Sequence, residues 1–60
     1  MSAKEKEIEK AITGCDNILY ILEWMSGFDE LSKERNILLK IGKIEPEIEE
    51  LKELYKQIIP

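Results

Sequence analysis

Apolar residues recur through the second half of the chain at alternating spacings of four and three. They lie at Ile37, Ile41, Ile44, Ile48, Leu51, Tyr55 and Ile58. The run keeps its phase through Gly42 and Pro46, two residues that disfavour a helix interior. Such an alternation is typical of a helix that packs along another helix. The pattern therefore predicts an extended helical architecture and identifies no chemistry.

The first half of the chain predicts one long helix, residues 3–26. Ser2 and Glu5 match a capping box, in which each side chain bonds the other residue's backbone N–H. Most of the apolar residues that follow fall on one side of a helix, at Ile8, Ala11, Ile12, Cys15, Ile18, Leu19, Leu22 and Met25. We expect a turn at 27–28, with Gly27 left-handed, Phe28 folded back onto the last helical turn and Asp29 capping the next helix.

The second half predicts a helix over 29–41, a kink or loop at 42–45 and a further helix over 46–58. Pro46 lacks a backbone N–H, and its ring clashes with the carbonyl of Gly42. We expect a single all-α domain over 1–60, an antiparallel helical hairpin whose second arm is kinked or broken near Gly42-Pro46. With the turn at 27–28, Gly14 and Gly42 lie at one level, where the two backbones approach or bend together. A compact three-helix bundle is the alternative.

The length of the chain predicts an association. A domain of 60 residues buries only about 60% of the surface that its unfolded chain exposes. The chain has one cysteine and no histidine, so neither an internal disulfide nor a structural zinc site is expected. A partner is the remaining common means of stabilisation. We therefore expect the hairpin to dimerise into a four-helix bundle.

The candidates for chemistry are few. Histidine, the usual general acid or base at neutral pH, is absent. Cys15 lies on the apolar side of its helix, where a thiol is inert. The carboxylates read as surface charge, and the sequence has no calcium-binding loop and no glycine-rich phosphate loop. We expect a protein that is not an enzyme, with no catalytic residues, cofactor, metal or small-molecule substrate.

Two aromatic residues are the most distinctive candidates for contact with a partner. Tyr20 and Trp24 lie four residues apart on the side of the first helix opposite its apolar stripe. Ile21 and Met25 border them, and Leu39 is off the main register of the second arm. Because large aromatic residues dominate the energetics of protein contacts, these five residues are the predicted interface.

Charge and size favour protein partners over other classes. The net charge is -4, and basic residues are interspersed with acidic ones, so nucleic acid is not expected as a partner. The sequence shows no signal peptide and no apolar run near the ~20 residues of a membrane span, which predicts a cytoplasmic protein without a membrane partner. The predicted function is a regulatory interaction module that binds or blocks a protein, as a homodimer, with a target protein, or both. The alternative is an RNA-binding regulator like the ROP-type dimers, whose protomers have similar length and two helices.

Overall fold

The computed structural model describes residues 2–58 as two long helices joined by a short connection. Helix α1 comprises Ala3–Ser26, a 3-10 turn follows at Leu31–Lys33, and helix α2 comprises Arg35–Ile58. The two helices pack against each other as a hairpin, and this part of the chain contains no strand. The predicted all-α hairpin is confirmed, and the three-helix alternative is wrong.

Local hydrogen bonds fix both ends of α1. The Ser2 Oγ accepts a hydrogen bond from the Glu5 backbone N–H at 3.1 Å, as the capping box predicts. At the other end, the Gly27 N–H donates to the Trp24 carbonyl at 3.1 Å. Gly27 has φ -93°, so its predicted left-handed conformation is wrong. The short bond to Trp24 tightens the last turn and satisfies a terminal carbonyl without a change of hand.

The connection between the helices runs over 27–34 and is longer than predicted. A helix beginning at residue 29 is wrong, since α2 begins at Arg35. The Ser32 Oγ donates to the Asp29 carbonyl at 2.7 Å, and Glu34 adopts a non-helical ψ of 88°. Hydrogen bonds from short polar side chains to nearby backbone compete with helix formation in this way. Asp29 thus contributes its carbonyl to the 3-10 turn instead of capping α2.

Helix α2 continues through the predicted interruption. Residues 42–45 are helical, and Pro46 lies inside the helix, so the predicted loop and the division at residue 46 are wrong. Proline removes the one backbone hydrogen bond that its N–H would give to Gly42. The packing of Ile41, Ile44 and Ile48 on either side holds the helix together, since the first is buried and the others are half-buried.

The longer connection also changes which residues lie opposite one another. Asp16 of α1 forms an ion pair with Lys52 of α2, whereas the predicted register would place Asp16 beside residue 40. The predicted pairing of Gly14 with Gly42 is therefore wrong. A Cβ atom built on either glycine would meet nothing within 4 Å, so neither marks a close approach of the two backbones.

The core of the hairpin is a single row of contacts. Its buried residues are Ile8, Cys15 and Leu22 of α1, each seven positions from the next, and Ile41 of α2. The hairpin measures 46 × 15 × 10 Å, so it is one helix thick. Because domains normally bury their apolar surfaces between two layers, one layer leaves apolar residues exposed.

Cys15 provides a test of this core. Its side chain is only 3% exposed, so we expect a thiol reagent to modify the native protein far more slowly than the unfolded protein. The measurement is the rate of reaction with a chromogenic disulfide in buffer and in concentrated urea. Equal rates would show that Cys15 is not in the core.

Candidate interaction surfaces

The two broad sides of the hairpin differ in chemistry. Antiparallel helices that face each other are related by a twofold axis normal to their layer, so equivalent positions on α1 and α2 emerge on the same side. We call the row of residues along which α1 and α2 contact each other the seam. Successive residues are rotated by about 100° around a helix. The residue three positions after a seam residue therefore points to one broad side of the hairpin, and the residue one position after it points to the other. The seam residues are Ile8, Cys15, Leu22, Ile41, Ile48 and Tyr55, all buried or half-buried.

One broad side is apolar, and we call it the apolar face. The positions three after the seam residues are Ala11, Ile18, Met25, Ile44, Leu51 and Ile58, and Ile21, Ile37 and Leu54 extend the same side. Six of these nine residues are exposed large hydrophobic side chains, namely Ile18, Ile21, Ile37, Leu51, Leu54 and Ile58. Monomeric proteins rarely expose a continuous apolar surface of this kind.

The opposite side carries the charge, and we call it the charged face. The positions one after the seam residues include Glu9, Asp16, Glu23 and Glu49. An ion pair lies on this side, with the Lys52 Nζ 2.5 Å from the Asp16 Oδ1. The hydrogen bond to Asp16 raises the pKa of the Lys52 ammonium above its ordinary value. The pair joins α1 to α2 across the charged face, in agreement with the geometric assignment of the two sides.

The excess negative charge lies on the charged face. Its nine ionisable residues are six acids and three bases: Glu5, Glu9, Asp16, Glu23, Arg35, Glu45, Glu49, Lys52 and Lys56. The apolar face has four, two of each sign, at its ends and outer margins: Lys4, Glu7, Lys40 and Glu47. A second protein can therefore approach the apolar face without strong electrostatic repulsion of either sign.

The structure separates the five predicted interface residues. Ile21 is exposed and Met25 is half-buried, and both lie on the apolar face. Tyr20 and Trp24 are 71% and 59% exposed and lie on the outer edge of α1, away from α2. Leu39 is exposed on the outer edge of α2. The five residues thus belong to one face and two edges instead of one continuous surface.

The aromatic edge, formed by Tyr20 and Trp24, has local support at one end. The Trp24 and Phe28 rings meet edge to face, with centroids 4.8 Å apart and an interplanar angle of 69°. Phe28 therefore folds back onto the last turn of α1, as the sequence predicts. The contact holds the Trp24 indole in place and leaves most of its surface open to a partner.

The exposed stripe of the apolar face is the feature that the sequence prediction missed. Ile18, Ile37, Leu51 and Ile58 belong to the apolar runs of the predicted helices, and none of them is in the predicted interface, yet all four are exposed in the hairpin. The signal was present, because each run with alternating spacings contains two stripes of period seven. In this hairpin the neighbouring helix buries one of these stripes, the seam, and leaves most of the other exposed.

Within 2–58, no group of three or more metal-ligating side chains comes together. A surface depression near Gly14 is lined by α1 alone, at Lys6, Glu9, Lys10, Thr13, Gly14 and Asn17. Neither α1 nor α2 is long and apolar enough to cross a membrane. Comparison with family models, curated proteins and solved structures found no match to this chain.

Proposed function

We propose that this chain is a small acidic interaction module that binds or blocks a partner protein and performs no chemistry itself. The observation that carries the proposal is the exposure of its apolar residues. Within residues 2–58, ten large hydrophobic side chains are exposed, whereas four hydrophobic residues are buried. Association with another protein would remove this surface from water, with a gain of roughly 25 cal/mol for each Å² buried.

The aromatic edge is the surface proposed to contact the target protein. Tyr20 and Trp24 are large, amphipathic and rigidly attached to a helix, which are the properties of residues that dominate protein interfaces. Leu39 lies near the same end of the hairpin, on α2. The predicted homodimer belongs to the same proposal, because a second copy would supply the layer that one hairpin lacks. A cytoplasmic location is part of the proposal too, consistent with the free thiol of Cys15.

The distribution of charge weighs against the RNA-binding alternative. Proteins bind the phosphate backbone mainly through lysine and arginine, and binding weakens as these contacts are lost. The charged face of the hairpin is acidic, and the apolar face has few basic residues. A protein target is therefore the better candidate.

The target can be sought with a matched set of baits. Tagged wild-type chain, a double variant Tyr20→Ala/Trp24→Ala and the control Leu31→Ala are incubated with extract of the cells that produce the protein. Leu31 is an exposed apolar residue in the connection, outside both surfaces. We expect a specific protein to be recovered with the wild type and the control and lost with the double variant. Equal recovery with all three baits, or with none, would contradict a target bound at the aromatic edge.

A further inference from the structure

Each helix of the hairpin has two stripes of apolar residues, and the contact between α1 and α2 buries only one of them. One stripe of period seven forms the seam, and a second lies three positions on, at Ala11, Ile18 and Met25 in α1 and at Ile44, Leu51 and Ile58 in α2. In the hairpin Ile18, Leu51 and Ile58 of the second stripe remain 40–47% exposed, so each helix keeps apolar surface for a second neighbour. In a four-helix bundle each helix has two neighbours, whereas in an isolated hairpin it has one.

We propose that the apolar face is occupied by a second copy of this chain, packed face to face as a four-helix bundle. The inference rests on the proposed function, because it names the first partner of the association module. The seam stripes hold each hairpin together, and the second stripes form the contact between the copies. The charged faces point outward, and the aromatic edges stay open at the sides of the bundle.

The dimensions of the face suit a second copy. A face 46 Å long and 15 Å wide has a footprint of about 700 Å² before side chains are counted, close to the ~800 Å² per partner of a stable interface. Helices α1 and α2 both contain 24 residues, so another copy covers the face from end to end. Two layers, each 10 Å thick, then enclose one core.

The distribution of charge favours a contact between two copies through their apolar faces over one through their charged faces. Two charged faces brought together would oppose an excess of carboxylates, and like charges in an interface repel. On the apolar face, the middle of the second stripe consists of the uncharged residues Ile18, Ile44 and Leu51. The charges at its margins have both signs, so a second copy meets no net repulsion there.

The test compares two identical substitutions at different surfaces of α2. Leu51→Glu places a charge on the apolar face, and Leu39→Glu makes the same change on the outer edge. The two leucines are 40% and 52% exposed, so neither substitution removes a buried residue. Light scattering after gel filtration at micromolar concentration gives the mass, and circular dichroism gives the helix content.

We expect wild type and Leu39→Glu to have twice the 7.0 kDa mass of one chain, and Leu51→Glu to have the mass of a monomer while remaining helical. Should Leu51→Glu fail to fold, Ile18→Glu on α1 makes the same test of the face. A monomeric wild type, or a dimer that all face variants retain, would overturn the inference. If the wild type were monomeric and bound zwitterionic lipid vesicles, the partner of the apolar face would be a bilayer surface. That result would also overturn the inference of a second copy.

The dimer and the target protein are tested by different residues. A monomeric chain that still recovers a protein through Tyr20 and Trp24 would end the inference and leave the proposed function standing. A dimer that recovers no protein through those residues would leave the inference standing and contradict the proposed target. The two failures are therefore distinguishable.

Discussion

Leu22→Ala is expected to lower the free energy of unfolding by about 2–5 kcal/mol, the usual cost of truncating a buried leucine. Leu22 is 7% exposed and is one of the four buried hydrophobic residues in the part of the chain that the structure describes. At roughly 0.05–0.15 kcal/mol per residue, a chain of this length has a total stability of about 3–9 kcal/mol. The loss is comparable to the whole stability, so a large fraction of the variant should be unfolded without denaturant.

Leu39→Ala is the matched control for this prediction. It makes the same chemical change on the same kind of helix, at a leucine that is half exposed. A substitution of this kind changes stability by about 0.5 kcal/mol or less. Urea unfolding followed by circular dichroism, at one fixed protein concentration, measures both variants. Similar losses for Leu22→Ala and Leu39→Ala would show that the seam between α1 and α2 is not the core.

The periodic features of the fold were accessible from sequence, because they depend on local geometry. The cap at Ser2, the extent of α1 and the exposure of Tyr20 and Trp24 follow from spacing along one helix. The connection was not accessible in the same way. Its length depends on hydrogen bonds such as Ser32 to the Asp29 carbonyl, which compete with helix formation by small margins.

An error in the predicted length of the connection changes every prediction that depends on which residues of α1 and α2 lie opposite each other. Once α2 begins at Arg35, Gly42 no longer lies opposite Gly14, although the helical pattern of each arm is unchanged. The side of the hairpin on which a residue emerges also depends on which stripe becomes the seam. For this reason the helical pattern predicts the helices that contain Ile18 and Leu51 but does not predict that these residues lie beside the seam.

Pro46→Ala is expected to raise the free energy of unfolding by about 2 kcal/mol. Proline inside a helix is about 3 kcal/mol less favourable than alanine. The substitution restores a backbone N–H that can bond the Gly42 carbonyl and removes the clash of the ring with that carbonyl. Part of the gain, about 0.4–1 kcal/mol, is lost because alanine leaves the unfolded chain more flexible than proline does. Thermal and urea unfolding should both shift toward higher stability.

Gly42→Ala is the control that separates the gain in helix propensity from the gain of the restored backbone hydrogen bond. It improves the helix propensity by about 0.5–1 kcal/mol without restoring any hydrogen bond. A Cβ atom at position 42 meets nothing within 4 Å, so no clash offsets this gain. A larger increase for Pro46→Ala than for Gly42→Ala would show that α2 is one helix held together across a missing hydrogen bond. If Pro46→Ala left stability unchanged or lowered it, the chain would have to break at residue 46. Its two apolar stripes would then belong to two separate segments.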